Sequence, residues 1–192
     1  MGKLKKLYEK TFSVKNVAGM GVFTALAFAV SFWEFPIFPA APFFKLDFSN
    51  VFIMLGGFMY GPIGGTLILL AEQLLRLAVS SSGGVGELAN FLVGFAYLIV
   101  PATAYRFYKG LPNVILTLIL GCLLQILAAL AANRFILFPF YGLAERFHDF
   151  FWYIAAFNAI KSVAITVLTV LLYKRVSFLF KRIHLQNTGE SV

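Results

Sequence analysis

The chain has 192 residues, 60% of them hydrophobic and 12% charged, and 23 are phenylalanine. With a mean hydropathy of +0.86, a water-soluble domain of this size would leave too much apolar surface facing solvent. The formal charge of +8 does not require nucleic acid, because its positions explain it. Lys3, Lys5, Lys6, Lys10 and Lys15 crowd the N-terminus, Arg106 and Lys109 share one interior gap, and Lys174, Arg175, Lys181 and Arg182 mark the C-terminal tail. Glu34, Asp47, Glu87, Glu145 and Asp149 occupy the other gaps. That asymmetry is what the positive-inside rule produces in a multispanning membrane protein.

The first apolar stretch, 17–33, is longer than the core of a signal peptide and no clear cleavage site follows it, so it reads as a retained first helix. Within it Ala25 and Ala29 lie four apart, on one helical face. The segment 34–47 follows, with Pro36, Pro39 and Pro42 stiffening a run of phenylalanines that would be costly to leave in water. It fits a lid over a flat aromatic ligand or a loop folded onto the outer rim, and the sequence does not choose between them. The region from 48 to 79 is too long for one crossing and contains Gly61, Pro62, Gly64 and Gly65, a turn signal. It is therefore divided into spans 48–60 and 62–79. Glu72 and Arg76, acid first at a spacing of four, favour an internal ion pair.

Gly83, Gly84 and Gly86 are not followed by the Lys-Ser/Thr of a phosphate loop and read as a tight turn. They place Glu87 and Asn90 on the first turn of the next span, 88–105, where they can cap the helix or meet the hydroxyls of a polyol. Span 111–133 carries Cys122, the single cysteine, so no intramolecular disulfide is possible. Asn133 ends that span. Glu145, His148 and Asp149 read as a solvated helix start rather than a metal site. The last span, 150–173, carries Asn158 and Lys161 on one face. Lys161 lies about 17 Å along its helix by axial rise, too deep for easy escape to the interface. The expected fold is an all-α integral membrane protein: one domain, 1–192, with six transmembrane helices and both termini cytoplasmic. The loops 34–47, 80–87 and 134–149 then lie outside.

Chemistry is poorly represented. There is no Ser/His/Asp set, no cysteine pair and no nucleotide-binding motif, so no enzyme, metal or resident cofactor is expected. Polar residues at depth have two readings: Asn158 and Lys161 bonding neighbouring helices with Asn133 capping a helix end, or a polar cluster facing a cavity open to the outside. Asn133, Asn158 and Lys161 offer amides and an ammonium that suit a ligand with carbonyl and imide groups.

Several runs together resemble the riboflavin-specific S component of energy-coupling factor transporters: Phe35-Pro-Ile-Phe-Pro-Ala-Ala-Pro-Phe, Leu46-Asp-Phe-Ser49, Gly84-Val-Gly-Glu-Leu-Ala-Asn-Phe91, Asn133-Arg-Phe and Asn158-x-x-Lys161. The resemblance runs from the first helix to the sixth. It implies a six-helix subunit of the bacterial cytoplasmic membrane that captures riboflavin from outside. Such a subunit joins a membrane coupling subunit driven by two ABC-type ATPases. By the same resemblance Asn133, Asn158 and Lys161 hold the isoalloxazine heteroatoms, while Lys45, Asp47, Glu87 and Asn90 hold the ribityl chain. Ala25-x-x-x-Ala29 matches the family's coupling motif. An S component for thiamine or pantothenate is the nearest alternative, though Lys161 would serve cationic thiamine poorly. A stand-alone secondary transporter is the alternative from another class, with Glu72 its one candidate coupling acid.

Overall fold

A computed structural model describes residues 12–188 apart from Ala40, Pro42, Ser81 and Lys109, with side chains described up to Tyr173. The N-terminal lysines 3 to 10, Lys109, and the side chains of Lys174, Arg175, Lys181 and Arg182 lie outside the described residues. Helix α1 spans Val14–Ser31, with the Ser13 hydroxyl accepting the Asn16 N–H at its start. Two residue pairs then form a short antiparallel ladder, β1 (Phe35–Pro36) and β2 (Lys45–Leu46), with Phe35 opposite Leu46. Helix α2 covers Ser49–Leu77, α3 Val85–Tyr105 and α4 Leu111–Ala132. The chain continues helically through a π turn at Asn133–Leu137 and a single turn at Phe138–Phe140. A 3₁₀ turn at Ala144–Arg146 leads into α5, Phe147–Thr188.

Among the described residues five helices are long and apolar enough to cross a membrane. Helical backbone is what such apolar runs require in lipid, where each N–H and C=O must be satisfied within its own segment. The small ladder departs from a purely helical expectation. It closes the stem of the 34–47 loop, where proline and aromatic crowding exclude a helix.

Helix α2 is not straight. Gly61 breaks it with φ 80° and ψ −179°, a backbone open to glycine, and Pro62 follows at once. A Cβ built on Gly65 would fall 2.7 Å from the Gly57 Cα, and one built on Gly56 would fall 2.4 Å from a methyl of Ile68. In a continuous helix residues eight apart are about 12 Å apart along the axis. The two arms, 49–60 and 62–77, therefore fold back on each other, and the glycines let their backbones touch. Helix α1 packs on α2, α3 lies between α2 and α4, and α5 closes against α4 and α2.

Two apolar clusters result. One joins α1, α2, α3, α4 and α5 around Val51, Met54, Leu69, Leu98, Leu118 and Ile165. The other gathers Ala41, Phe44 and Leu46 of the first loop against Ala129, Phe138, Ile154 and Phe157. Helices gain little hydrophobic drive from lipid, so this close packing and the few interhelical hydrogen bonds carry their association.

Candidate functional site

The first loop is docked along α5. Phe44 stacks on Phe157 at 5.2 Å and 26°, Phe43 lies 5.6 Å from Phe150, and Phe38 meets Tyr153 edge-on at 5.6 Å. Offset stacks and edge contacts of this kind hold aromatic rings by their quadrupoles as well as by area. They bring the end of the loop to a buried ion pair: Lys161 Nζ donates to Asp47 Oδ2 at 2.8 Å, with both residues under 9% exposed. The other carboxylate oxygen, Asp47 Oδ1, accepts the Ser49 N–H at 3.0 Å and the Ser49 hydroxyl, capping the start of α2. Burial alone would raise the Asp47 carboxyl. The Lys161 ammonium and the Ser49 donors outweigh it and bring the group down to about 2.

Asn158, three residues before Lys161, donates to the Ile154 carbonyl at 2.9 Å and accepts from Gln125 Nε2 of α4 at 3.4 Å. Gln125 is buried and its own Oε1 has no protein partner. Asn133 is buried and donates to the Ala129 carbonyl at 2.8 Å, beside the loop-bearing apolar cluster. The structure thus brings Asp47, Lys161 and Asn158 into one neighbourhood and holds Asn133 at the adjacent end of α4.

The remaining candidates lie elsewhere. Lys45 is half-exposed and pairs with Glu34 at 2.5 Å, and the same Glu34 receives Arg76 at 3.3 Å. Glu87 is buried and accepts the Ser82 hydroxyl, within the turn that Gly83 and Gly84 form at φ 65° and 91°. Lys45 and Glu87 face one cleft of about 330 Å³, which Ser31, Phe32, Glu34, Arg76, Val79 and Ser80 also line. Asn90 is exposed on α3 and has no place in that lining.

Glu72 does not form the ion pair with Arg76 that its spacing suggests. It is fully buried, its Oε2 accepts from Gln73 at 2.5 Å, and its Oε1 has no partner, while Arg76 turns to Glu34 and the Ser31 carbonyl. Glu34 won because it arrives from the loop with an open oxygen. Spacing along one helix cannot register a competitor from another segment. Sequence reasoning also passed over Gln125 and Glu34, which the structure places against the candidate residues Asn158 and Lys45. Gln125 was detectable as an amide in an otherwise apolar span, and Glu34 gave no local signal.

Ala25 and Ala29 are exposed on α1, alongside Val22 and Leu26. Asp149 pairs at 3.6 Å with Arg146, both well exposed.

The chain as a whole is similar to known proteins. The chain is 31% identical over 177 residues to "Riboflavin transporter RibU" of Staphylococcus aureus (strain TCH60), covering 88% of this chain and 94% of that protein. It is 24% identical over 182 residues to "Riboflavin transporter FmnP" of Bacillus subtilis (strain 168), covering 83% and 90%. It superposes with a TM-score of 0.79 and 31% identity on a solved S component of a bacterial ECF transporter, over 87% of this chain and 98% of that one. The family model described as "ECF transporter, substrate-specific component" matches residues 15–173. The chain belongs to the substrate-specific components of ECF transporters, a family of transport subunits and not of enzymes.

Proposed function

We propose that this chain is a riboflavin-capturing S component that takes the vitamin from outside and delivers it for ATP-driven uptake. The observation that carries this is the buried Asp47–Lys161 pair, with Asn158 beside it, walled by the aromatic first loop. Riboflavin joins a flat apolar ring, a polar edge of carbonyls and an imide, and a hydroxylated tail. A mostly apolar pocket with a few fixed polar groups is the environment such a molecule needs. The ammonium of Lys161 has three donors and Asp47 takes one, so donors remain for the ring carbonyls. The amides of Asn133 and Asn158 each keep an N–H beyond the one given to their own helix. In this reading those three residues hold the isoalloxazine edge. Lys45, Asp47, Glu87 and Asn90 serve the ribityl chain, with Lys45 and Glu87 on the cleft and Asn90 outside its lining.

The subunit has six crossings of the bacterial cytoplasmic membrane, with both termini on the cytoplasmic side. The folded-back arms of α2 support the count, and the positions of Arg106 and the flanking basic residues support the orientation. Its partners are a membrane coupling subunit, met through Ala25 and Ala29, and two ABC-type ATPases. No resident cofactor belongs to it.

Titration of the detergent-purified protein with riboflavin, alongside thiamine, tests the assignment. Saturable quenching of flavin fluorescence near one equivalent is the expected result, because stacking on aromatic rings quenches the flavin. Tight thiamine binding without a flavin response overturns it.

A further inference from the structure

Glu34 holds two cations at once, Lys45 at 2.5 Å and Arg76 at 3.3 Å, and all three line the cleft of about 330 Å³ that Glu87 also lines. That volume is at the bottom of the range for a whole small-molecule ligand, so the cleft suits a tail better than a ring system. Its charged lining is Lys45 and Arg76 against Glu34 and Glu87, which sums to zero. Arg76 is only 20% exposed at its side chain and also reaches the Ser31 carbonyl, so both ends of its guanidinium are occupied. Glu87 in turn accepts the Ser82 hydroxyl. A neutral polyol can trade hydrogen bonds with such a lining. A phosphate monoester cannot do so easily, because it brings about −1.5 to −2 charges and finds both cations already committed.

We infer that Glu34 is a specificity-determining residue: by occupying Arg76 and Lys45 it disfavours flavins whose tail ends in a phosphate relative to flavins whose tail ends in a hydroxyl. The inference rests on the riboflavin reading above and on the tail entering this cleft. Its mechanism is competition, since the same two cations that would welcome a phosphate are neutralised by a carboxylate supplied from the loop before β1. Denying a competing ligand the partners it needs is a general way to separate ligands that share most of their contacts.

The test measures the affinities of riboflavin and riboflavin 5′-phosphate for the wild-type protein, Glu34→Gln and Arg76→Gln, and reads the ratio of the two. Glu34→Gln keeps the shape and frees the cations, so the ratio should move toward the phosphate by about tenfold, the scale of one charge-assisted contact. Arg76→Gln leaves Glu34 in excess, so the ratio should move the other way. The gain in Glu34→Gln should also shrink as salt is raised from low ionic strength, because these groups are partly exposed. Equal losses for both flavins in both variants make the triad a structural clamp on the loop and overturn the inference. An unmoved ratio in both variants overturns it too, while leaving the riboflavin reading intact. Failure of the wild-type protein to bind either flavin overturns that reading itself.

Discussion

At the scale of single residues, Lys161 shows what a sequence can and cannot tell. Its depth in the last span is readable from spacing alone, and a lone buried ammonium is a liability whose removal should stabilise a protein. Its partner Asp47, 114 positions earlier in the chain, reverses that sign. Lys161→Met should weaken riboflavin binding by ~1.5–3 kcal/mol, the value of a hydrogen bond to a charged group. It should also lower the ligand-free melting temperature, because it leaves Asp47 buried without its cation, a loss of up to ~3–5 kcal/mol. Adding Asp47→Asn should recover the melting temperature and not the affinity. If the single variant melts no lower than wild type, the ion pair does not form in solution. The same pair fixes a pH dependence. Asp47 has a folded value of about 2 against an ordinary 3.8, so its stabilisation is fully present above the ordinary value and lost as pH falls through about 2. Thermal melts of wild type between pH 5 and 2 should show that loss, and the Asp47→Asn protein should lack this component.

At the scale of elements, the Gly61-Pro62 break was legible because glycine and proline disrupt a helix through their own backbones, whatever surrounds them. The closeness of the two arms was less so, since it depends on Gly57 and Gly65 meeting across the turn. Gly65→Ala should lower the melting temperature in detergent, at a cost of ~1–3 kcal/mol, because its methyl would meet backbone that has nowhere to go. Gly21→Ala on α1 is the matched control: a methyl there meets nothing within 4 Å and should stabilise slightly. Equal melting of both variants would mean that the arms stand apart. The docking of the first loop belongs to this scale too. Its prolines and phenylalanines announced an aromatic loop, but the partners Phe150, Tyr153 and Phe157 sit on a helix more than a hundred residues away. Only the fold pairs Phe44 with Phe157. Glu72 failed for the related reason that its i,i+4 partner found a better acceptor in Glu34.

At the scale of the whole molecule, the composition and charge asymmetry alone specified a helical membrane protein, since those constraints come from the bilayer rather than from particular contacts. Which surface meets another protein is a different matter. Helix α1 is the least buried of the five long apolar helices, and its outward face carries Ala18, Val22, Ala25 and Ala29. Exposure of Ala25 and Ala29 argues against internal packing within this bundle and leaves lipid or a partner helix as their neighbour. Small residues four apart make a shallow strip where a second helix can approach closely, which lipid does not require. Ala25→Leu together with Ala29→Leu should leave riboflavin affinity within about twofold, because neither methyl touches the Asp47–Lys161 neighbourhood. The added side chains, by their bulk, should hold a partner helix away, so recovery of the ATPase complex and cellular vitamin uptake should both fall several-fold. Capture and coupling are measured on one preparation, capture by flavin quenching and coupling by co-purified ATPase, with uptake followed separately in cells. Loss of binding along with coupling would show that the strip packs internally after all. Full retention of both would show that it faces only lipid, and the coupling surface would have to be sought on another helix.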